Sequence, residues 1–334
     1  MTNGAEDLIS VIVTSYNHAE YLDERMESLL SQTYRNLEII VVDDCSTDRS
    51  LDVLGKYEKY DHVKIVALKK NVGYANASNL GVSLCHGEYI MFAECDDFSA
   101  PSHVEQLHGK MVGKENIGVA YCRSNMVDGN GNVYGDDFYY RESSFKSLCF
   151  QNTLILQPDI QRFFLFSCVI PNMSAALIRK RFFDLVGGLS PAYRVCADWD
   201  FWCRISLHCD FYYVVYPLNN FRSHLMTVRN TSGIQAPLVE IISLLYGSFE
   251  NVNFGFIGKL KFKINVGFIW ASYLSHGLLD WLGAFPSTWR QSLKYDKLSL
   301  LFLLFGIVKK TIALSYRVFG GKPVVSISQH CILF

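Results

Sequence analysis

The chain of 334 residues has no Cys-x-x-Cys pair among its ten cysteines, no basic leader at its start and almost no net charge. Each absence excludes something. The nearest thiols, Cys196, Cys203 and Cys209, lack zinc-ligand spacing, so the cysteines read as ordinary semi-buried thiols of a reducing compartment. Met1–Ser10 carries neither a basic n-region nor an apolar h-region, so no signal peptide is indicated and a cytosolic protein is expected. A formal charge of −1 supplies no basic field for nucleic acid. The apolar run Leu298–Val308 is eleven residues, interrupted by Ser299 and Gly306, whereas a membrane span takes about 20. No Gly-x-Gly-x-x-Gly follows the first apolar run, as a dinucleotide oxidoreductase would require. Thr14-Ser-Tyr-Asn17 stands there without a glycine, which also argues against the phosphate loop of a sugar nucleotidyltransferase.

What is present is half hydrophobic and one-seventh aromatic, a composition that folds. The neutral total hides an asymmetry. Residues 251–334 hold ten Lys and Arg against Asp280 and Asp296 alone, a net of +8, so residues 1–250 carry −9. An acidic body is followed by a basic, aromatic-rich tail.

The first 125 residues alternate short apolar runs with helical spacing. Leu8–Val13, Leu37–Val42, Val63–Leu68, Tyr89–Ala93 and Gly118–Cys122 read as strands. Leu22, Met26, Leu29 and Leu30 mark one helical face, with Asn17 and Glu20 in the positions of a capping box. Ser46 is placed to cap a second helix that turns Leu51 and Leu54 inward, and Tyr74–Cys85 reads as a third. This β-α-β-α-β-α-β order calls for an α/β fold, a mostly parallel sheet with helices on both faces. Beyond residue 126 the pattern is less regular: Asp128-Gly-Asn-Gly131 is a turn, Asn172–Arg179 a strand, Arg181–Val186 a short helix stopped by Gly187-Gly188, and Ala197–Arg204 the opening of another helix.

Ligands of such sheets lie beyond the carboxyl ends of the strands. There the sequence places Asp43-Asp44 and Glu94-Cys95-Asp96-Asp97, five carboxylates converging on one rim. Unrelieved they would repel one another, and a cation or a set of hydrogen-bond donors is the remedy.

In these residues the chain resembles glycosyltransferase family 2, inverting nucleotide-sugar transferases of GT-A fold. The resemblance runs from about Ile9 to His224. It rests on Ser10-Val-Ile-Val-Thr-Ser-Tyr-Asn17, Val42-Asp-Asp-Cys-Ser-Thr-Asp48, Asn71-Val-Gly73 with Asn79-Leu-Gly81, Gly87-Glu-Tyr-Ile90, Glu94-Cys-Asp-Asp97, Gly187-Gly188, Asp198 with Trp202 and Arg204, and Arg222-x-His224, in family order. The resemblance implies that Thr14 and Tyr16 lie against the nucleoside and that Asp44 accepts from a uracil ring nitrogen. Asn71, Asn79 and Arg222 then join the nucleotide-sugar contacts. Glu94 and Asp96 stand in the place of the metal-binding Asp-x-Asp, with His224 nearby, for Mg2+ or Mn2+ on the diphosphate. Asp198 falls where the general base stands, with Asp200 as the alternative. Two departures matter: Glu94 replaces an Asp, and Ser78 replaces an Arg common in relatives. They motivate the competing reading of a nucleotide-sugar-binding or assembly subunit. No Gln-x-x-Arg-Trp is present, which points to single sugar additions rather than chain extension.

The expected organisation is a nucleotide-sugar-binding half (8–125), an acceptor half carrying the base (126–232) and a helical tail (233–334). The expected partners are a UDP-sugar and a glycan or lipid-linked glycan. The tail, whose apolar run Leu298–Val308 ends at Lys309-Lys310, either packs on the body or lies on the cytosolic membrane face with basic groups meeting anionic lipid heads.

Overall fold

The computed structural model describes residues 6–141, 143–170, 172–224, 235–250, 252, 255–276 and 278–318. Strands β1 (Ile9–Ser15), β2 (Leu37–Asp43), β3 (Val63–Ala67) and β4 (Tyr89–Phe92) form the parallel block β3-β2-β1-β4. Their β-branched runs suit strands covered on both faces. The sheet then continues through antiparallel β9 (Ala176–Arg179) to β6 (Ile117–Val127) and β10 (Asp210–Arg222), with short β5 (Phe98–Ser99), β7 (Val133–Asp136) and β8 (Thr153–Ile155) completing ten strands. One sheet thus draws strands from both expected halves.

Period-two alternation sorts the core. Ile9, Val11 and Val13 of β1 face α1 (Ala19–Leu30), α2 (Ser50–Gly55) and α4 (His103–Met111), whereas Ile12 faces the other layer. That second layer holds α3 (Tyr74–Ser83), α6 (Gln157–Phe166), which follows the one-turn α5 (Ser143–Leu148), then α7 (Lys180–Leu185) and α8 (Ala197–Ile205). The mostly parallel α/β sheet with helices on both faces is as expected.

Three local expectations are corrected. Asn17 does not cap α1: at φ 56 its side chain turns across to the next loop, where Oδ1 accepts from the N–H groups of Thr47 and Asp48. Asp48 instead accepts from Ala19 N–H, at the start of α1, and from Ser50 N–H at the start of α2. Ser46, expected to cap α2, gives its N–H and hydroxyl to Asp43. Leu54 is fully buried, but Leu51 faces solvent.

The tail folds into α9 (Gln235–Phe249), α10 (Phe256–Ser272), α11 (Leu278–Leu293) and α12 (Ser299–Val318). It packs on the body: Asn265 donates to the carbonyl of Phe166 in α6, and Leu238, Ile241 and Leu245 join the core under α6 and α8. Helices α10 and α12 cross backbone to backbone at Gly267 and Gly306, where a Cβ on Gly267 would meet Phe302 O at 2.0 Å. Lys310 spends its ammonium on the carbonyls of Ala271 and Ser272 at the end of α10, and Lys263 pairs with Asp296. Both cations are thus engaged by groups of the tail itself. Among the described residues no helix is long and apolar enough to cross a membrane.

Candidate active site

The rim is assembled by loops that bind one another before any ligand does. Asp43 takes both donors of Ser46, and Asp44, only 4% exposed, accepts from Val72 N–H (2.7 Å) and Gly73 N–H (2.9 Å). Asn71 closes the same clasp by donating to Asp44 O. Charge repulsion at this end is relieved by donors. Each Asp44 oxygen keeps one lone pair, so a base N–H would share the carboxylate with the loop. Thr14 is half-buried at the end of β1, and Tyr16, 45% exposed, offers an open ring face beside it.

Residues 94–97 form a turn, closed by Asp97 N–H on Glu94 O, not an extended strand end. The expectation that Glu94 and Asp96 point the same way needed extended backbone, and the turn removes it. Glu94 lies outside the grouping that forms around Asp96. That grouping is Asp96, His224 and His18, one ligating atom of each within 4.8 Å of the others. His224 Nε2 lies 2.9 Å from Asp96 Oδ2. Burial works to raise the Asp96 pKa, but the hydrogen bond from His224 and the charge of His18 and His224 outweigh it and hold the carboxyl below its usual range. One carboxylate and two imidazoles make a donor set that fits a divalent ion such as Mn2+. Asp96 and His224 were expected in it; His18 was not.

Arg222 was expected on the diphosphate, and the structure places it elsewhere. Its guanidinium is buried behind the turn, donating to Asp96 O (2.7 Å), Gly129 O (2.7 Å) and Asp128 O (3.3 Å), pairing with Glu24, and lying over the Tyr21 ring. A side chain with four of its five N–H donors engaged this way braces the loop. Arg25, fully buried, supports it from the other side through Glu94 O and Ser99, 4.0 Å from Asp97. Asp97 accepts Arg222 N–H, and burial pushes its carboxyl up to about 7.

Asp198 sits half-buried in the first turn of α8, where Oδ1 accepts Trp199 N–H at 2.7 Å. The Tyr74 hydroxyl, shielded from solvent, has its pKa driven well above the usual value by burial first and then by the charges of Glu94, Asp198 and Asp96. The three carboxylates thus act electrostatically on one buried phenol. Asp200 is spent otherwise, in a 2.6 Å ion pair with Arg204, which also holds Val186 O and Gly188 O.

Asn79, expected to touch the nucleotide-sugar, is likewise structural. Its amide donates to Leu189 O (2.8 Å) and accepts from Leu189 N–H (2.9 Å), locking α3 to the loop that leads into α8. Gly188 beside it has φ +74, and a Cβ there would meet Asn79 Oδ1 at 2.6 Å. The tail supplies a residue that lies outside the resemblance. Glu240 of α9 accepts the N–H groups of Arg194, Val195 and Cys196 at 2.8–3.0 Å, the segment that enters α8 just before Asp198. A lone carboxylate in the apolar run Pro237–Leu245 was the available signal.

Over 185 residues, 54% of this chain and 59% of the relative, the sequence is 34% identical to the glycosyltransferase GlyG of Streptococcus pneumoniae. Over 98 residues, 29% of this chain and 38% of the relative, it is 42% identical to the putative teichuronic acid biosynthesis glycosyltransferase TuaG of Bacillus subtilis. The chain thus spans less than two-thirds of the length of these curated relatives. Its fold is similar over 93% of its length to 92% of S. aureus TarS 1-349 in complex with UDP-GlcNAc, with a TM-score of 0.65 at 17% identity. It is also similar over 98% of its length to 86% of the mannosyltransferase PcManGT from Pyrobaculum calidifontis in complex with GDP-Man and Mn2+, with a TM-score of 0.55 at 15% identity. The sheet order, the helices on both faces and these likenesses together give the GT-A arrangement. Residues 10–185, more than half of the sequence, match Glycosyl transferase family 2, and the chain belongs to that family.

Proposed function

We propose that the protein is an inverting, metal-dependent glycosyltransferase that moves one sugar from a UDP-sugar to a glycan or lipid-linked glycan acceptor in polysaccharide biosynthesis. The observation that carries this reading is the His18–Asp96–His224 grouping at the strand-end rim, supported by Asp198 in the first turn of α8, which acts with Glu94 and Asp96 on the buried Tyr74 hydroxyl. The named relatives and the UDP-GlcNAc bound by TarS favour a nucleotide-sugar donor.

In this reading residues 8–125 hold the donor, 126–232 the acceptor and the base, and 233–334 form the helical tail. Tyr16 stacks on the base, Thr14 lines the nucleoside, and Asp44 shares its carboxylate with a ring N–H. Asn71 acts through the loop that clasps Asp44. Asp198 accepts the acceptor hydroxyl's proton as that oxygen bonds to the anomeric carbon and the bond to the diphosphate oxygen breaks, inverting the centre. Asp96, with His224, would hold Mg2+ or Mn2+, whose contribution is to neutralise charge on the departing diphosphate. Glu94, outside that set, faces the reacting region. Exposed Leu278, Leu279 and Leu282 of α11 and Leu304 and Phe305 of α12 support a tail that touches the cytosolic membrane face where a lipid-linked acceptor resides.

The test is UDP release from UDP-sugars with Mn2+. Asp198→Asn should keep UDP affinity while transfer to acceptor falls by about 10²–10⁴-fold. Unchanged transfer overturns the base assignment. Pyrophosphate release from UTP and a sugar phosphate would revive a nucleotidyltransferase, and UDP binding indifferent to Mn2+, without turnover, a binding subunit.

A further inference from the structure

We propose that His18 is a third protein ligand of the cation, and that the resulting two-imidazole, one-carboxylate set selects Mn2+ and its transition-metal neighbours over Mg2+. The inference rests on the metal-dependent reading above but concerns a residue outside the expected metal motif. His18 lies in the β1–α1 loop, 78 positions before Asp96, yet its ring approaches both other members of the grouping. The His18 and His224 ring centroids are 5.3 Å apart and nearly perpendicular, at 76°. Two imidazoles turned edge to face aim their nitrogens at a common point more readily than stacked rings do.

The tautomer is set from behind. His18 Nδ1 lies 2.7 Å from the carbonyl oxygen of Tyr16, an oxygen that can only accept, so Nδ1 carries the proton and donates. Nε2 is then left with its lone pair. A backbone carbonyl on one imidazole nitrogen is the arrangement that orients metal-bound histidines and strengthens them as ligands. His18 is half-buried, and the loop that carries it is fixed by Asn17 on Thr47 and by Asp48 on Ala19 N–H. Its position is therefore held without metal.

The donor set decides the preference. Mg2+ favours all-oxygen octahedra and keeps its waters, whereas imidazole nitrogen suits the later divalent ions. Replacing Glu94 by a histidine in the expected set moves the site toward Mn2+, Co2+ or Zn2+. His18 also joins the cation to the Tyr16 loop, so metal binding and the nucleoside platform share one segment.

The experiment is Mn2+ and Mg2+ titration of the full chain with UDP present, by calorimetry and by electron spin-echo spectroscopy of bound Mn2+. Wild type should show two coupled imidazole nitrogens. His18→Ala should show one, with Mn2+ affinity lowered about 10–100-fold and Mg2+ affinity changed far less. His18→Asn, whose amide can keep the bond to Tyr16 O, should behave as His18→Ala while melting like wild type. If both variants keep two nitrogens and wild-type Mn2+ affinity while Asp96→Asn and His224→Ala lose it, His18 is not a ligand and the metal-dependent reading survives. If wild type binds no Mn2+ with UDP present, both fall together.

Discussion

Replacing Arg222 by Lys separates a brace from a substrate contact. The guanidinium donates to Asp96 O, Gly129 O and Asp128 O and pairs with Glu24, contacts that diverge from a planar fork. A lysine ammonium keeps the charge but gathers its donors on one atom. It can hold Glu24 and one carbonyl, leaving about two carbonyls of these part-buried loops short of a protein donor at about 0.5–1.5 kcal/mol each. The expected loss is about 1–3 kcal/mol, and at about 2–4 °C per kcal/mol the melting temperature should fall on the order of 2–12 °C. Because the strained carbonyl belongs to Asp96, Mn2+ affinity should fall too, while UDP affinity without metal should not. Thermal melts and UDP titrations in chelator read both. A variant that melts within about 2 °C of wild type yet binds metal-free UDP at least about tenfold more weakly would refute the brace and return Arg222 to the diphosphate.

Glu240→Ala removes three acceptor contacts from the segment entering α8. It should lower kcat more than KM for the donor, with Glu240→Gln, which keeps one acceptor oxygen, intermediate; equal kcat in all three proteins rejects the positioning role. Asn79→Leu breaks the two-way clasp on Leu189 and should cost about 1–3 kcal/mol in urea unfolding without weakening UDP binding, and a selective loss of UDP affinity would contradict that assignment. His103 is fully buried, and burial first, then Arg25, lowers its pKa to about 3. Between pH 6.5 and 3 the unfolded chain binds the extra proton, so this stability is complete above pH 6.5 and is lost as pH falls, about 2 kcal/mol of it by pH 5. His103→Gln should flatten the decline between pH 7 and 5 by that amount in urea titrations, and an unchanged slope would refute it.

The parallel half of the fold was legible because β1, β2 and β4 are buried along nearly their whole length and carry short, mostly apolar runs. β10 was not. Phe211–Tyr216 has strand-forming residues, but Pro217 falls inside the strand, its register against β6 shifts around Val214, Pro217 and Asn219, and polar Asn219 and Asn220 follow, so its full length is not announced by the sequence. Pairing with β6 along one edge and with β5 and β8 along the other makes the whole of 210–222 one strand. Propensity cannot report such a pairing from one chain segment.

The site divides along the same line. Asp44 and Asp96 could be placed at the rim from the strand ends alone, a rule that needs only local structure, whereas Asp198 stood out only through the family resemblance. What their side chains are free to do depended on residues far away in sequence. Asn17 and Glu20 have capping-box spacing, yet the better partners for Asn17 are Thr47 and Asp48, thirty positions on. Asn79 and Arg222 have the right identities for phosphate contacts, but each is engaged by backbone groups of other loops, Asn79 by Leu189 and Arg222 by the carbonyls of Asp96 and Gly129. At buried Leu189 that claim is compulsory, because an unmet backbone group inside costs more than a surface contact with ligand returns. Thr14, Tyr16, Asp198 and the His18–Asp96–His224 grouping differ from Asn79 and Arg222: the bonds of His18 to Tyr16 O, of His224 to Asp96 and of Asp198 to Trp199 N–H stay within the rim segments, so a ligand at the strand ends would meet these residues without breaking a brace between distant loops.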